Sequence, residues 1–156
     1  MFLRILSLLF VFSLVTVPFD LGAQDQKVTY KKARALQTST AKKIVKVVEA
    51  LERVDEEGKE DPDFETVKEI LNELLDNKES LRSYDRSVMW NYWGYVYFSE
   101  ERFSDAMRAY RNLLAEPEST IPLRVASLYT LAQLNFVNED YEEGVKVLLQ
   151  WMQEVE

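Results

Sequence analysis

Apolar residues recur at three-to-four-residue spacing along most of the chain, and two stretches repeat one order of large and small side chains. In the first stretch Trp90, Trp93, Gly94 and Tyr97 share one run, and Ala106 and Tyr110 follow after the polar break Ser99-Glu100-Glu101-Arg102. In the second, Leu128, Leu131, Ala132 and Asn135 are followed by Gly144, Leu148 and Trp151. The interval from one small residue to the next is the same in both stretches, so Ala132 stands in the place of Gly94 and Gly144 in the place of Ala106. Packing supplies the cause. Two antiparallel helices approach most closely where their side chains are smallest, so Gly94 with Ala106, and Ala132 with Gly144, mark helix crossings. Trp90, Tyr97 and Tyr110 then fill the volume beside the first crossing. Upstream, Ile44, Val47, Val48, Leu51 and Val54 form one amphipathic run, while Val67, Leu71 and Leu74 form another after Asp63-Phe64. A long acidic connection near residues 56–63 joins these two runs. The pattern predicts an all-α chain of about three antiparallel helix pairs.

The order bulky, glycine, aromatic, alanine, aromatic resembles the tetratricopeptide repeat (TPR), whose period is about 34 residues. This resemblance implies a short solenoid of stacked helix pairs, with a degenerate repeat over residues 41–77 and repeats over 87–120 and 125–156. The offset from Gly94 to Ala132 exceeds that period by about four residues. The excess is expected in the connecting loop Glu116 to Pro122, because turns absorb insertions that helices do not.

Residues 1–23 are of different material. Arg4 supplies a positive start, Ile5 to Val17 is almost purely apolar, and Pro18, Gly22 and Ala23 precede a polar continuation at Gln24. This is the layout of a cleavable secretory signal peptide. Its apolar core of 13 residues is short of the ~20 that a membrane-spanning helix requires, so cleavage after Ala23 and a periplasmic location are expected. The basic segment 24–40, with Lys27, Lys31, Lys32 and Arg34, continues into Lys42, Lys43 and Lys46. Two readings of it stay open: a solvated face, or a contact with anionic headgroups or an acidic partner, which makes any membrane contact peripheral.

The chain has no histidine and no cysteine, which removes Ser-His-Asp and Cys-His nucleophiles and the usual zinc sites. Its acidic runs, Asp55-Glu56-Glu57 with Glu60, Asp61 and Asp63, and Glu139-Asp140 with Glu142 and Glu143, fall where turns and helix starts are expected. Carboxylates are solvated there and favoured by the positive helix N-terminus. No glycine-rich phosphate loop occurs, and Asp61-Pro62-Asp63 lacks the spacing of a calcium loop. The expectation is a non-enzyme without cofactor or metal. A net charge of −8 argues further against nucleic acid as a partner.

First helices of stacked pairs line a concave surface. Counting from the small positions, Val88, Asn91, Tyr95 and Phe98 in one repeat, and Ala126, Tyr129, Gln133 and Phe136 in the next, are expected to point away from their own second helices and to contact a partner. These eight positions carry rings and amides but no charge, which suits an extended or proline-rich segment. The same rings equally serve packing between neighbouring pairs, and both readings stay open. On the last helix Val145, Leu148, Trp151 and Val155 are expected to face solvent unless a continuation of the chain or self-association covers them.

The run from Leu128 to Tyr141, with Trp151 beyond it, together with Leu81-x2-Tyr84, Asn91-x2-Gly94-Tyr95-x-Tyr97 and Ala106-x3-Tyr110, resembles the periplasmic TPR proteins that accompany TonB-ExbB-ExbD systems of Gram-negative bacteria. The likeness spans residues 69–152, with Asn135 where an aromatic residue is usual and Gly144 where alanine is usual. It implies a periplasmic protein-protein interaction scaffold, accessory to TonB-dependent energy transduction and iron-complex uptake, whose partner is a protein or peptide such as a proline-rich TonB-like segment. Two other functions remain open: a structural envelope protein that forms homo-oligomers through its last helix, and an accessory subunit of cell-wall enzymes. The leader is tested by expressing the whole chain in a Gram-negative host. N-terminal sequencing of the periplasmic product is expected to begin at Gln24, and a membrane-bound product starting at Met1 would refute the cleavage.

Overall fold

The computed structural model describes residues 34–155. The signal segment 1–23 and residues 24–33 of the basic segment lie outside the described residues. Those described are all-α: α1 (Thr38–Leu51), α2 (Phe64–Asp76), α3 (Ser83–Ser99), α4 (Phe103–Ala115), α5 (Ile121–Val137) and α6 (Tyr141–Val155), with a short 3-10 turn at Lys78–Ser80. Helices α1 and α2, α3 and α4, and α5 and α6 pack in pairs; α2 also meets α3, α4 meets α5, and α3 reaches α5.

Each pairing follows from where the apolar residues fall. Ile44 and Val47 of α1 face Val67, Leu71 and Leu74 of α2, and these join Met89, Trp93 and Val96 of α3 in one core. Ala106, Met107 and Tyr110 of α4 join Leu128, Leu131, Ala132 and Leu134 of α5 and Val147 of α6 in a second. Tyr97 packs against both. Helices α1, α2, α4 and α6 bury one stripe, whereas α3 and α5, enclosed on several sides, are apolar around most of their circumference.

The α3–α4 and α5–α6 turns are built identically. Glu101 and Glu139 adopt the left-handed conformation, with φ of 58° and 61°. The Arg102 amide then donates to the Tyr97 carbonyl at 2.8 Å, and the Asp140 amide to the Asn135 carbonyl at 2.9 Å. These bonds satisfy carbonyls that a helix end otherwise leaves unpaired. The crossings lie just beside the turns. A Cβ placed on Gly94 would stand 2.6 Å from the Tyr110 ring, and one placed on Gly144 would stand 2.7 Å from the Phe136 ring. In both pairs the backbone of one helix lies directly under an aromatic ring of the other.

The connection expected over Glu116 to Pro122 is two residues shorter than that. Helix α4 ends at Ala115 and α5 begins at Ile121, so Ile121 and Pro122, assigned by sequence to the connection, form the first turn of α5. Proline suits that place because the first helical amides have no intrahelical acceptor to lose. With that turn, α5 matches α3 in length, at 17 residues each, the longest of the described helices.

Short-range chemistry shapes the other joints. Asp55 accepts from the Glu57 and Lys59 amides at 2.9 Å each, Gly58 takes φ of 79°, and Arg53 spans to Asp61 and Asp63, closing the acidic connection into a tight loop. Asp63 caps α2 through the Thr66 amide, which with the Thr66 hydroxyl holds its carboxyl below the usual range. At the start of α3 the buried Asp85 carboxylate accepts from the Gln37 amide at 2.8 Å and from Arg82 at 3.2 Å, tying α1 to α3. Ser83 Oγ accepts from the Glu118 amide at 2.9 Å and fixes the α4–α5 joint to the same spot.

The crossing is testable by exchange. Gly94→Ala forces a methyl into the buried Tyr110 ring and is expected to destabilise by about 1–3 kcal/mol in urea denaturation. The equivalent positions of the second hairpin hold Ala132 and Leu148. Adding Tyr110→Leu to Gly94→Ala is therefore expected to cost less than the two single changes summed, and strict additivity would contradict the crossing.

Candidate functional site

The outward arc of α3 and α5 is where a partner was expected, and the structure divides the eight candidate residues. Val88 is half-buried against the first core, and Asn91 is half-buried on the same helix. Tyr95 is half-buried, its ring centroid 6.3 Å from that of Phe64 at the start of α2. Ala126 is exposed, and Gln133 is half-buried with a side-chain oxygen that has no hydrogen-bond donor.

Three rings lie elsewhere. Phe98 packs on Phe103 at 5.9 Å, across the turn into α4. Tyr129, expected to point away from α6, meets Trp151 of α6 at 5.6 Å, and Phe136 lies over Gly144 of α6. The cause is the angular drift of a stripe spaced three and four residues along a helix of 3.6 residues per turn. Its trailing edge turns toward the paired helix, where the missing side chain of Gly144 leaves room that Phe136 fills. Tyr129 remains 47% exposed, so its ring has both a packed and an open side.

Further aromatic groups outside the eight candidates border this arc. The Tyr92 phenol is pushed up by burial, with the nearby Glu52 carboxylate adding to the effect. Trp93 and Tyr97 stack at 5.0 Å, and the Arg102 guanidinium sits 4.6 Å from the Tyr97 ring centroid. Burial, and secondarily Tyr95, raises the Tyr110 phenol well above its ordinary value. The arc that these groups border carries no charged side chain among its eight candidate positions.

Two ion pairs of the same design hold the first helices in place. Arg86 of α3 grips Glu116 through Nε at 2.7 Å and Nη2 at 2.8 Å, and its Nη1 donates to the Leu81 carbonyl at 2.6 Å. Arg124 of α5 grips Glu154 through Nε at 2.5 Å and Nη2 at 3.2 Å, and its Nη1 donates to the Leu114 carbonyl at 3.0 Å. Each pair spans 30 residues, and the offset from Arg86 to Arg124 equals that from Gly94 to Ala132. The planar guanidinium explains why both are arginines, since only that fork meets a carboxylate bidentately while reaching a carbonyl. The signal was present in the sequence as a repeated Arg-to-Glu interval.

Among the described residues no cluster of three His, Cys, Asp or Glu side chains could hold a metal ion. No helix among them is long and apolar enough to cross a membrane. A cleft of about 590 Å³ opens between Leu114, Ile121, Arg124, Leu128, Gln150, Gln153 and Glu154. It lies beside the second ion pair, away from the α3 arc.

The Arg124 hydrogen bonds hold the Glu154 carboxyl below its ordinary 4.5, with burial opposing. A carboxyl lowered on folding contributes stability that is complete above its unfolded value and is lost as pH falls through its folded value. Glu154→Gln is expected to lose on the order of 1 kcal/mol at pH 7. In urea titrations the gap from the parent should close as pH drops below the ordinary glutamate range, whereas a gap independent of pH would rule out the ion pair as its source. Comparison with protein-family models, curated proteins and solved structures finds no match to this chain.

Proposed function

We propose that the chain is a periplasmic scaffold of stacked TPR-type helix pairs that binds a protein segment along its first helices. The observation that carries this reading is the twice-built unit: the same turn and the same arginine bridge recur at one fixed interval along the chain, and in each pair a glycine of one helix lies under a ring of the other. Repeats of this kind stack into extended surfaces suited to binding polypeptide. The proposed contact set is Val88, Asn91 and Tyr95 on α3 with Ala126 and Gln133 on α5, and the exposed side of Tyr129 borders it. Rings and amides without charge favour an extended, proline-rich partner, whose stiff backbone loses little entropy on docking. With the signal segment and the family resemblance, this makes the periplasmic part of a TonB-like transducer the proposed partner and iron-complex uptake the proposed setting.

The test is crosslinking and capture from periplasm, with the parent compared to a Tyr95→Ala, Gln133→Ala pair. These positions spare the Gly94 and Gly144 crossings and the Trp151 contact, so circular dichroism is expected to remain helical. Capture of a transducer component should fall about tenfold in the pair, the loss expected for a contact centre. Unchanged capture would remove this face as the site. Capture confined to other envelope proteins would remove the transducer as the partner.

A further inference from the structure

The turn from α1 into α2 brings a carboxylate beside three aromatic rings. Asp63 donates its amide to the Ala50 carbonyl at 2.8 Å, which holds the start of α2 against the end of α1. Phe64, the first residue of α2, meets Tyr95 of α3 with ring centroids 6.3 Å apart. Tyr92 stands three residues before Tyr95, on the same face of α3, and packs against the first core. Glu52 ends α1, and its carboxylate is near enough to add to burial in raising the Tyr92 phenol.

The charge of Glu52 is left uncompensated. Its side chain is exposed and makes no ion pair among the described residues. The neighbouring Arg53 is taken up by Asp61 at 2.7 Å and Asp63 at 3.1 Å. Lys68, one turn along α2 from Phe64, is held by Glu65 at 2.7 Å and Glu100 at 3.0 Å. The last turn of α1 contains no basic residue, so the negative end of that helix adds to the carboxylate. Aromatic rings beside such a charge strengthen its attraction for a cation, because their faces are electron-rich.

This combination is confined to the α1 end of the arc. In the register that aligns Gly94 with Ala132, the counterparts of Glu52, Phe64, Tyr92 and Tyr95 are Trp90, Arg102, Thr130 and Gln133. There a guanidinium replaces one ring, polar side chains replace the other two, and the carboxylate is absent. The second pair therefore offers a cation nothing comparable.

We infer that Glu52, with Phe64, Tyr92 and Tyr95, binds a basic side chain, lysine or arginine, of the polypeptide segment that docks along α3. The inference rests on the reading of that face as the docking surface, since Tyr95 belongs to both, and adds that the segment presents a positive charge at its α1 end. The net charge of −8 steers such a segment toward the chain before contact.

The probe is a fluorescent heptapeptide of proline with one central lysine, titrated into the purified chain by anisotropy beside the same peptide carrying glutamine there. The lysine peptide is expected to bind about fivefold more tightly. Glu52→Gln should remove most of that advantage and leave the glutamine peptide's affinity unchanged. Because Glu52 is exposed, thermal melts of this variant should match the parent, which separates lost recognition from lost folding. Tyr92→Leu should also shrink the advantage, with helicity retained in circular dichroism. Equal binding of the two peptides, or a lysine preference that survives Glu52→Gln, overturns the inference and leaves the docking surface standing. Failure of both peptides to bind overturns the inference and the proline-rich docking surface together.

Discussion

The rest of the structure depends on the contact of helix backbone with an aromatic ring at Gly94 and Gly144. Where Tyr110 lies over Gly94 and Phe136 over Gly144, the ring rests directly on the facing backbone with no opposing side chain beneath it. Dense packing on both sides then follows, since Trp93, Val96, Leu113, Leu131 and Val147 reach their partners only at that separation. The two pairs solve the problem with the residues exchanged. The first places its glycine on the leading helix and the ring on the second, and the second pair does the reverse.

Electrostatics then sets the angle at which each first helix enters. Arg86 and Arg124 hold the start of a first helix to the end of its second helix and, through Nη1, to a carbonyl before it. Asp85 and Ser83 concentrate two further joints at the head of α3, one from the chain before α1 and one from the α4–α5 connection. All these bonds lie at helix ends, where backbone groups lack intrahelical partners, so they combine capping with joining. The long flanks of α3 and α5 are left free of charge, and that is the surface on which the proposed partner would lie.

Much of the fold was legible because packing leaves a periodic trace. Gly94 and Gly144 marked close approaches of paired helices, each filled by a ring, Tyr110 and Phe136, and the polar breaks at Glu101 and Glu139 marked turns that the backbone makes in the left-handed conformation. Legibility failed where a local pattern is compatible with two structures. Ile121-Pro122 reads as a loop or as a first helical turn, and only the α5 packing decides between them. The candidate face was legible as a stripe but not as a surface: Tyr129 and Phe136 share its spacing with Gln133, yet they turn onto α6.

By itself, then, the sequence determined helix type, pairing and the absence of histidine and cysteine chemistry, because periodicity and composition are properties of the chain alone. The tertiary structure decided which side of each first helix remains open and which residues 30 positions apart become ion pairs. It also decided that Val145 and Met152 of α6 are about half exposed while their counterparts on α4, Met107 and Leu114, lie in the second core. The physical reason is that exposure and pairing depend on what stands opposite a residue, and that neighbour is supplied by folding rather than by adjacent sequence.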